Sequence, residues 1–247
     1  MSIIHLGINI QEKDSNYINK DTYLSAKPEG MRGWNESHYP KQIAAASINY
    51  DLNMRYFKSL DYDEFSKYIS KKCKKFNFKE CTDLTELIGV EGLYMMVLDN
   101  YKQVYIGQAS NIKRRIMSHW NGKKSLERLI FGDICESGLS IDSFGALDTT
   151  RIFYKETRVL HINEEKIVAD FDSRYTLNRT AGGVGAVDTY TDTSSAALLA
   201  VMANRRKKDL VPFVDGEELR SVFAESDIRF YLKLHPELAE KIVNEQE

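Results

Sequence analysis

Two tyrosines, an arginine, a histidine and a glutamate are the side chains whose spacing in this sequence suggests chemistry. Gly92-Leu93-Tyr94 precedes Tyr105-Ile106-Gly107, with eleven residues from the first tyrosine to the second, and Arg115 and His119 follow. A phenol and an imidazole can move protons, and a guanidinium can hold an anion. A carboxylate set among apolar residues must be neutral, paired or bound to a metal ion. Whether these groups meet depends on the elements that carry them.

Met95-Met96-Val97-Leu98 and Tyr101-Lys102-Gln103-Val104 are short β-prone runs around Asp99-Asn100, which predicts an antiparallel hairpin. Side chains two apart share one strand face, so each tyrosine receives a fixed direction. Ser110 or Asn111 can cap a following helix that holds Ile112, Ile116 and Trp120 on one face. Each helical residue advances about 100°. With Ile112 as reference, Ile116 and Trp120 lie roughly 40° and 80° around, while Arg115 and His119 lie about 60° and 20° to the other side. Arg115 and His119 therefore sit beside the buried stripe, where an arginine needs a carboxylate or a phosphate. Arg114 points to solvent. A later helix is predicted over 157–171, with Leu160, Ile167, Val168 and Phe171 all within roughly 60° of Glu164. Glu164 is thus inside the apolar stripe and Glu165 off it. Two partners are open to Glu164, an internal ion pair with Arg115 or a metal ion.

The order of these residues closely resembles the GIY-YIG nuclease family, which includes phage homing endonucleases, some restriction endonucleases and the incision subunit of bacterial excision repair. Leu93 stands where the family has isoleucine. Arg115 falls eight residues after Gly107, His119 four further on, Glu164 opens a Glu-x-x-apolar-apolar pattern with Ile167-Val168, and Asn178 follows Leu177. The resemblance covers about residues 89 to 183. It implies a small α+β core with a three-stranded antiparallel sheet flanked by helices. It also implies a metal-dependent endonuclease acting on DNA, with Tyr94, Tyr105, Arg115, His119, Glu164 and Asn178 as the catalytic set and Glu164 as ligand to Mg²⁺ or Mn²⁺. Residue types agree with phosphodiester hydrolysis: Arg115 meets charge on a phosphate oxygen, and Glu164 with waters holds one hard cation. Either Tyr94, as the resemblance suggests, or His119, on its ordinary pKa, can be the general base. Tyr105 is expected to orient water or phosphate, and Asn178 to fix a loop or the surroundings of the attacking water.

The rest of the chain bounds these expectations. At 247 residues and 43% hydrophobic content there is material for a core and for additions on both sides of it. A net charge of -2 confines any nucleic-acid attraction to local patches. The candidates are Lys71, Lys72, Lys74 and Lys75, within a lysine-crowded stretch from Lys67 to Lys79, and Arg205, Arg206, Lys207 and Lys208. Residues 1–88 read as a mostly helical extension, with helices over Pro40–Phe57 and from Asp61 or Asp63 to about Lys75 after forty polar, loop-rich residues. Residues 184–247 read as a helical appendage containing the apolar run Ala196–Met202. A second helix is expected from Ser125. Cys73, Cys81 and Cys135 fit no zinc spacing and read as reduced thiols, and nothing resembles a signal peptide or a membrane span, which suggests a cytoplasmic protein. Target choice would then fall to the flanking segments. The competing class is a nucleic-acid-binding or scaffold protein with an idle core, and RNA is an alternative substrate.

Overall fold

The structure is a computed structural model and describes residues 1–25, 39–122, 134–135, 137–158, 160–178 and 208–243. The helix expected from Ser125, the run Ala196–Met202 and Arg205–Lys207 lie outside the described residues. None of the described helices is long and apolar enough to cross a membrane.

The centre is a four-stranded antiparallel sheet. Its strands are β3 (Lys79–Cys81), β6 (Arg151–Glu156), β4 (Gly92–Leu98) and β5 (Gln103–Ala109), in that spatial order. β4 is buried along its whole length, as expected of an inner strand that is apolar throughout. Its alternation divides two cores. Tyr94, Met96 and Leu98 face α4 (Ile112–Asn121) and pack with Ile112, Ile116 and Trp120. Leu93, Met95 and Val97 face the other way, with Val104 and Ile106, onto α3 (Tyr62–Phe76) and α5 (Leu160–Asp170). The caps are local: Asp61 accepts the Glu64 N–H at 2.7 Å to start α3, and Asn111 accepts the Arg114 N–H at 3.0 Å to start α4.

The sheet has four strands and not the expected three: β4, β5 and β6 form one side of it, and β3 pairs with the remaining edge of β6. β3 comes from the stretch read as a helical extension. Three residues, Lys-Glu-Cys, carry almost no strand signal, so the free edge of β6 decides the pairing. The first forty residues also hold more than loops. β1 (Ser2–His5) and β2 (Ile8–Gln11) make a hairpin around Leu6 and Gly7, whose φ values of 48° and 74° are the positive angles of a tight β-turn. Leucine is a poor advertisement for such a turn, which is why the sequence concealed it. This arm is tied down by buried Asp148, which accepts from Ile18 N, Gly145 N and the Tyr101 hydroxyl. α1 (Lys20–Ser25) follows, and α2 (Tyr39–Ser59) and α3 form where expected. Beyond the sheet, α6 (Gly216–Val222), α7 (Glu225–Leu234) and α8 (Leu238–Val243) pack Leu219, Ile228 and Leu238 against Ile48 and Leu52 of α2. The three cysteines are free and buried.

Segments before residue 89 thus supply a strand and much of both cores. Phe65, Ile69, Cys81, Leu84 and Leu87 are each at most 1% exposed. A fragment of residues 89–183 is therefore expected to show no cooperative urea transition by circular dichroism, whereas the full chain shows one.

Candidate active site

Register places Tyr94 opposite Gly107 and Tyr105 opposite Met96, so both tyrosines and Gly107 share the α4 face. The Tyr94 ring lies across Gly107. A β-carbon there would stand 2.3 Å from the Tyr94 hydroxyl, inside contact distance. Gly92 answers a different crowding, since a β-carbon would meet the Lys155 carbonyl of β6 at 2.2 Å. The two glycines of the triplets are therefore matters of space, not of strand ends.

Crossing Gly107 brings the Tyr94 hydroxyl to His119 Nε2 at 2.8 Å, a buried hydrogen bond. His119 Nδ1 in turn pairs with the Asp142 carboxylate, which belongs to the short turn Ile141–Ser143. A carboxylate on Nδ1 holds that nitrogen as the N–H, which leaves Nε2 to accept the phenol proton. Tyr105 completes the cluster, its ring edge-on to the imidazole at 5.0 Å and tilted against Tyr94 at 6.2 Å. Arg115 lies on the solvent side, exposed along its outer surface, with its guanidinium against the Tyr94 phenol. His119 is buried, as the helix periodicity indicates, at 3% exposure. Burial, and then Tyr105, push the Tyr94 phenol well above its ordinary value, while Arg115 pulls the other way. A lone phenolate is unfavourable here. A phenol that passes its proton to His119 is not.

Glu164 comes from α5, which packs on β4 and β5. It is 6% exposed, and burial raises its pKa to about 7 against the opposing pull of Arg115. Among the described residues no hydrogen bond or ion pair joins the two, so the direct salt bridge does not form. A buried carboxylate without a donor is the type of ligand a hard cation takes. Among the described residues no group of three or more His, Cys, Asp or Glu gathers, so a cation on Glu164 would complete its shell with water.

Asn178 acts on the backbone. Its Oδ1 accepts the Ile106 N–H at 2.9 Å and its Nδ2 donates to the Ile106 carbonyl at 2.7 Å. Together with Leu177 N–H on the Val104 carbonyl, this closes the outer edge of β5 on both sides of Tyr105. Asn178 thus holds the backbone next to Tyr105.

The basic candidates are placed less favourably. Lys208 is corrected: its ammonium is buried, donating to the Ser173 and Arg174 carbonyls at 3.0 and 3.2 Å and standing 5.0 Å over the Tyr56 ring. Desolvation lowers its pKa to about 7, so it offers little to a phosphate. Lys72 and Lys75 both engage Asp170, at 2.5 and 2.6 Å, and Lys72 also rests on Tyr68 and Phe171. Lys71 and Lys74 are exposed. All four ride on α3, across the sheet from Tyr94. Asp142, through its contact with His119, is the member of this cluster that sequence reasoning missed. It lies in a loop without periodicity, and only its capping Ser140 two residues earlier marks the turn.

No protein-family model, curated protein or solved structure matches this chain.

Two measurements follow from this geometry. Gly107→Ala forces the Tyr94 ring aside, and urea unfolding should show a loss of about 1–3 kcal/mol, the usual cost of overpacking. Glu164 titrates near 4.5 when unfolded and near 7 when folded, so between these values the folded state holds more protons. Stability should fall as pH rises through that window, by up to about 3 kcal/mol. Glu164→Gln should abolish the fall, as read from urea unfolding in EDTA at about pH 5 and about pH 8.

Proposed function

We propose that this protein is a metal-dependent endonuclease of the GIY-YIG type that hydrolyses DNA phosphodiester bonds. What carries the reading is the meeting of the Tyr94–His119–Asp142 chain and Arg115 on the α4 side with Glu164, which comes from α5 on the opposite face yet lies close enough for its charge to act on Tyr94 and for Arg115 to act on it: a proton path, an anion holder and a cation ligand. Each of these is weak alone, and their meeting is what a site needs.

In this reading Arg115 binds a non-bridging phosphate oxygen and meets the charge that grows as the phosphorus becomes five-coordinate. With Arg115 drawn off the phenol onto that phosphate, a water taking its place gives its proton to the buried Tyr94 oxygen as the phenol proton passes to His119 Nε2. The imidazolium formed is stabilised by Asp142. Tyr94 and His119 thereby share one role in series, which the burial of the phenol requires. Tyr105 holds the imidazole and lines the water's approach, and Asn178 keeps Tyr105 in register. Mg²⁺ or Mn²⁺ on Glu164 would supply charge to stabilise the departing alkoxide oxygen. Target choice falls to the N-terminal arm and C-terminal helices, because a small core alone covers too little of a duplex.

Plasmid nicking by the full chain tests this. Cleavage is expected with Mg²⁺ and none with EDTA. Glu164→Ala should lower the rate by about 10²–10³, and Asp142→Asn, which leaves His119 without its anion, by about a hundredfold. Plasmid bound but never nicked, equally by wild type and Glu164→Ala, would instead make the chain a nucleic-acid-binding module with an idle core.

A further inference from the structure

Asp142 has a second neighbour. Beyond its carboxylate lies a cavity of about 380 Å³, bounded by β2, the turn after it, the last half of α4 and the turn carrying Asp142. That volume lies at the small end of ligand sites, which run from roughly 300 to 1,000 Å³. Its lining joins rings to hydrogen-bonding edges. Tyr17, 51% exposed, and the nearly buried Trp120 both line it, with Asn9, Gln11 and Asn16 contributing amides. Ser143 is also in the wall, its hydroxyl buried with no hydrogen-bond partner among the described residues. Asn16 is buried too, its Nδ2 donating to the Gln11 carbonyl at 2.7 Å. Buried polar atoms without partners cost stability unless a ligand answers them.

Chemistry narrows the ligand. A purely apolar molecule would leave the Ser143 hydroxyl unanswered. A bare phosphate would find Lys13 as the cation in the lining and rings it cannot use. A flat heterocycle with donor and acceptor edges uses both features, stacking on an aromatic ring and bonding its edge to amides and a hydroxyl. Position agrees. Asn121, in the lining, is six residues along α4 from Arg115, roughly 9 Å of helix, so a nucleotide close to a phosphate on Arg115 is within reach.

We propose that this cavity receives one unstacked nucleobase of the nucleic-acid strand, next to the scissile position. The assignment rests on the nuclease reading for its substrate. Because Asp142 borders the cavity and also holds His119, a seated base adjoins the residue that orients the proton acceptor.

The test uses the full chain carrying Trp34→Phe, which leaves Trp120 as the sole tryptophan of the two in the sequence. Each of the four deoxynucleoside 5′-monophosphates is titrated in EDTA, up to millimolar concentration, while Trp120 fluorescence is followed. A saturable change is expected with at least one. Ser143→Ala should weaken it about fivefold, the worth of one hydrogen bond, and Tyr17→Ala by at least as much through lost stacking. A merely structural Ser143 makes a different prediction, since removing an unpartnered hydroxyl leaves the unfolding midpoint unchanged or raised and binding untouched. No saturable change with any nucleotide, or binding indifferent to both substitutions, overturns the pocket even if Mg²⁺-dependent nicking is found. Binding lost in both variants without nicking under any condition upholds the pocket and removes the nuclease reading.

Discussion

Tyr94 reaches His119 only because position 107 has no side chain. That one crossing organises the site. The phenol lies over Gly107, its oxygen meets the imidazole at 2.8 Å, and the imidazole is held from behind by Asp142. Everything nearby keeps the crossing in place. Strand pairing sets Tyr94 opposite Gly107, Asn178 grips the peptide of Ile106 between Tyr105 and Gly107, and the Ile112–Ile116–Trp120 stripe seats α4 against the sheet. A glycine here is a requirement of packing, and through packing of the Tyr94–His119 hydrogen bond.

Electrostatic tension accompanies this order. Burial disfavours charge on both Tyr94 and Glu164, and Arg115 offsets only part of that at each. A core built only for stability would have closed Arg115 onto Glu164. Burying the Glu164 carboxylate with no hydrogen-bond donor among the described residues costs stability, a pattern common where groups are held ready for a ligand. Elsewhere the same residue types are quenched. Lys72 and Lys75 pair with Asp170, Lys208 is sunk among carbonyls, and Arg151 forks onto Asp99 at 2.6 and 2.9 Å to brace the hairpin loop.

How much of this was legible in the sequence depended on periodicity. Helix angles separated His119 from Arg114 and Glu164 from Glu165, because burial on a helix repeats every 3.6 residues. The hairpin was legible from its β-prone runs. Arg115 was only half legible, since the wheel placed it at the core's edge but not the reach that leaves its stem in solvent. β3 and Asp142 were not legible, one being three residues paired by a neighbouring edge and the other sitting in an irregular turn. Nor could a run of lysines show that α3 turns them away from Tyr94, or that Lys208 faces inward. Local patterns report which face of an element is buried, and the sheet order decides what each face meets.

Whether Glu164 holds a cation decides the proposed function. Its most direct test is a crystal structure of the full chain with Mg²⁺ and a DNA duplex carrying an uncleavable phosphorothioate linkage. The predicted result is a cation on Glu164, a non-bridging oxygen on Arg115 and a water against the Tyr94 oxygen. A Glu164 carboxylate folded onto Arg115, with no ion and the strand bound elsewhere, would contradict it.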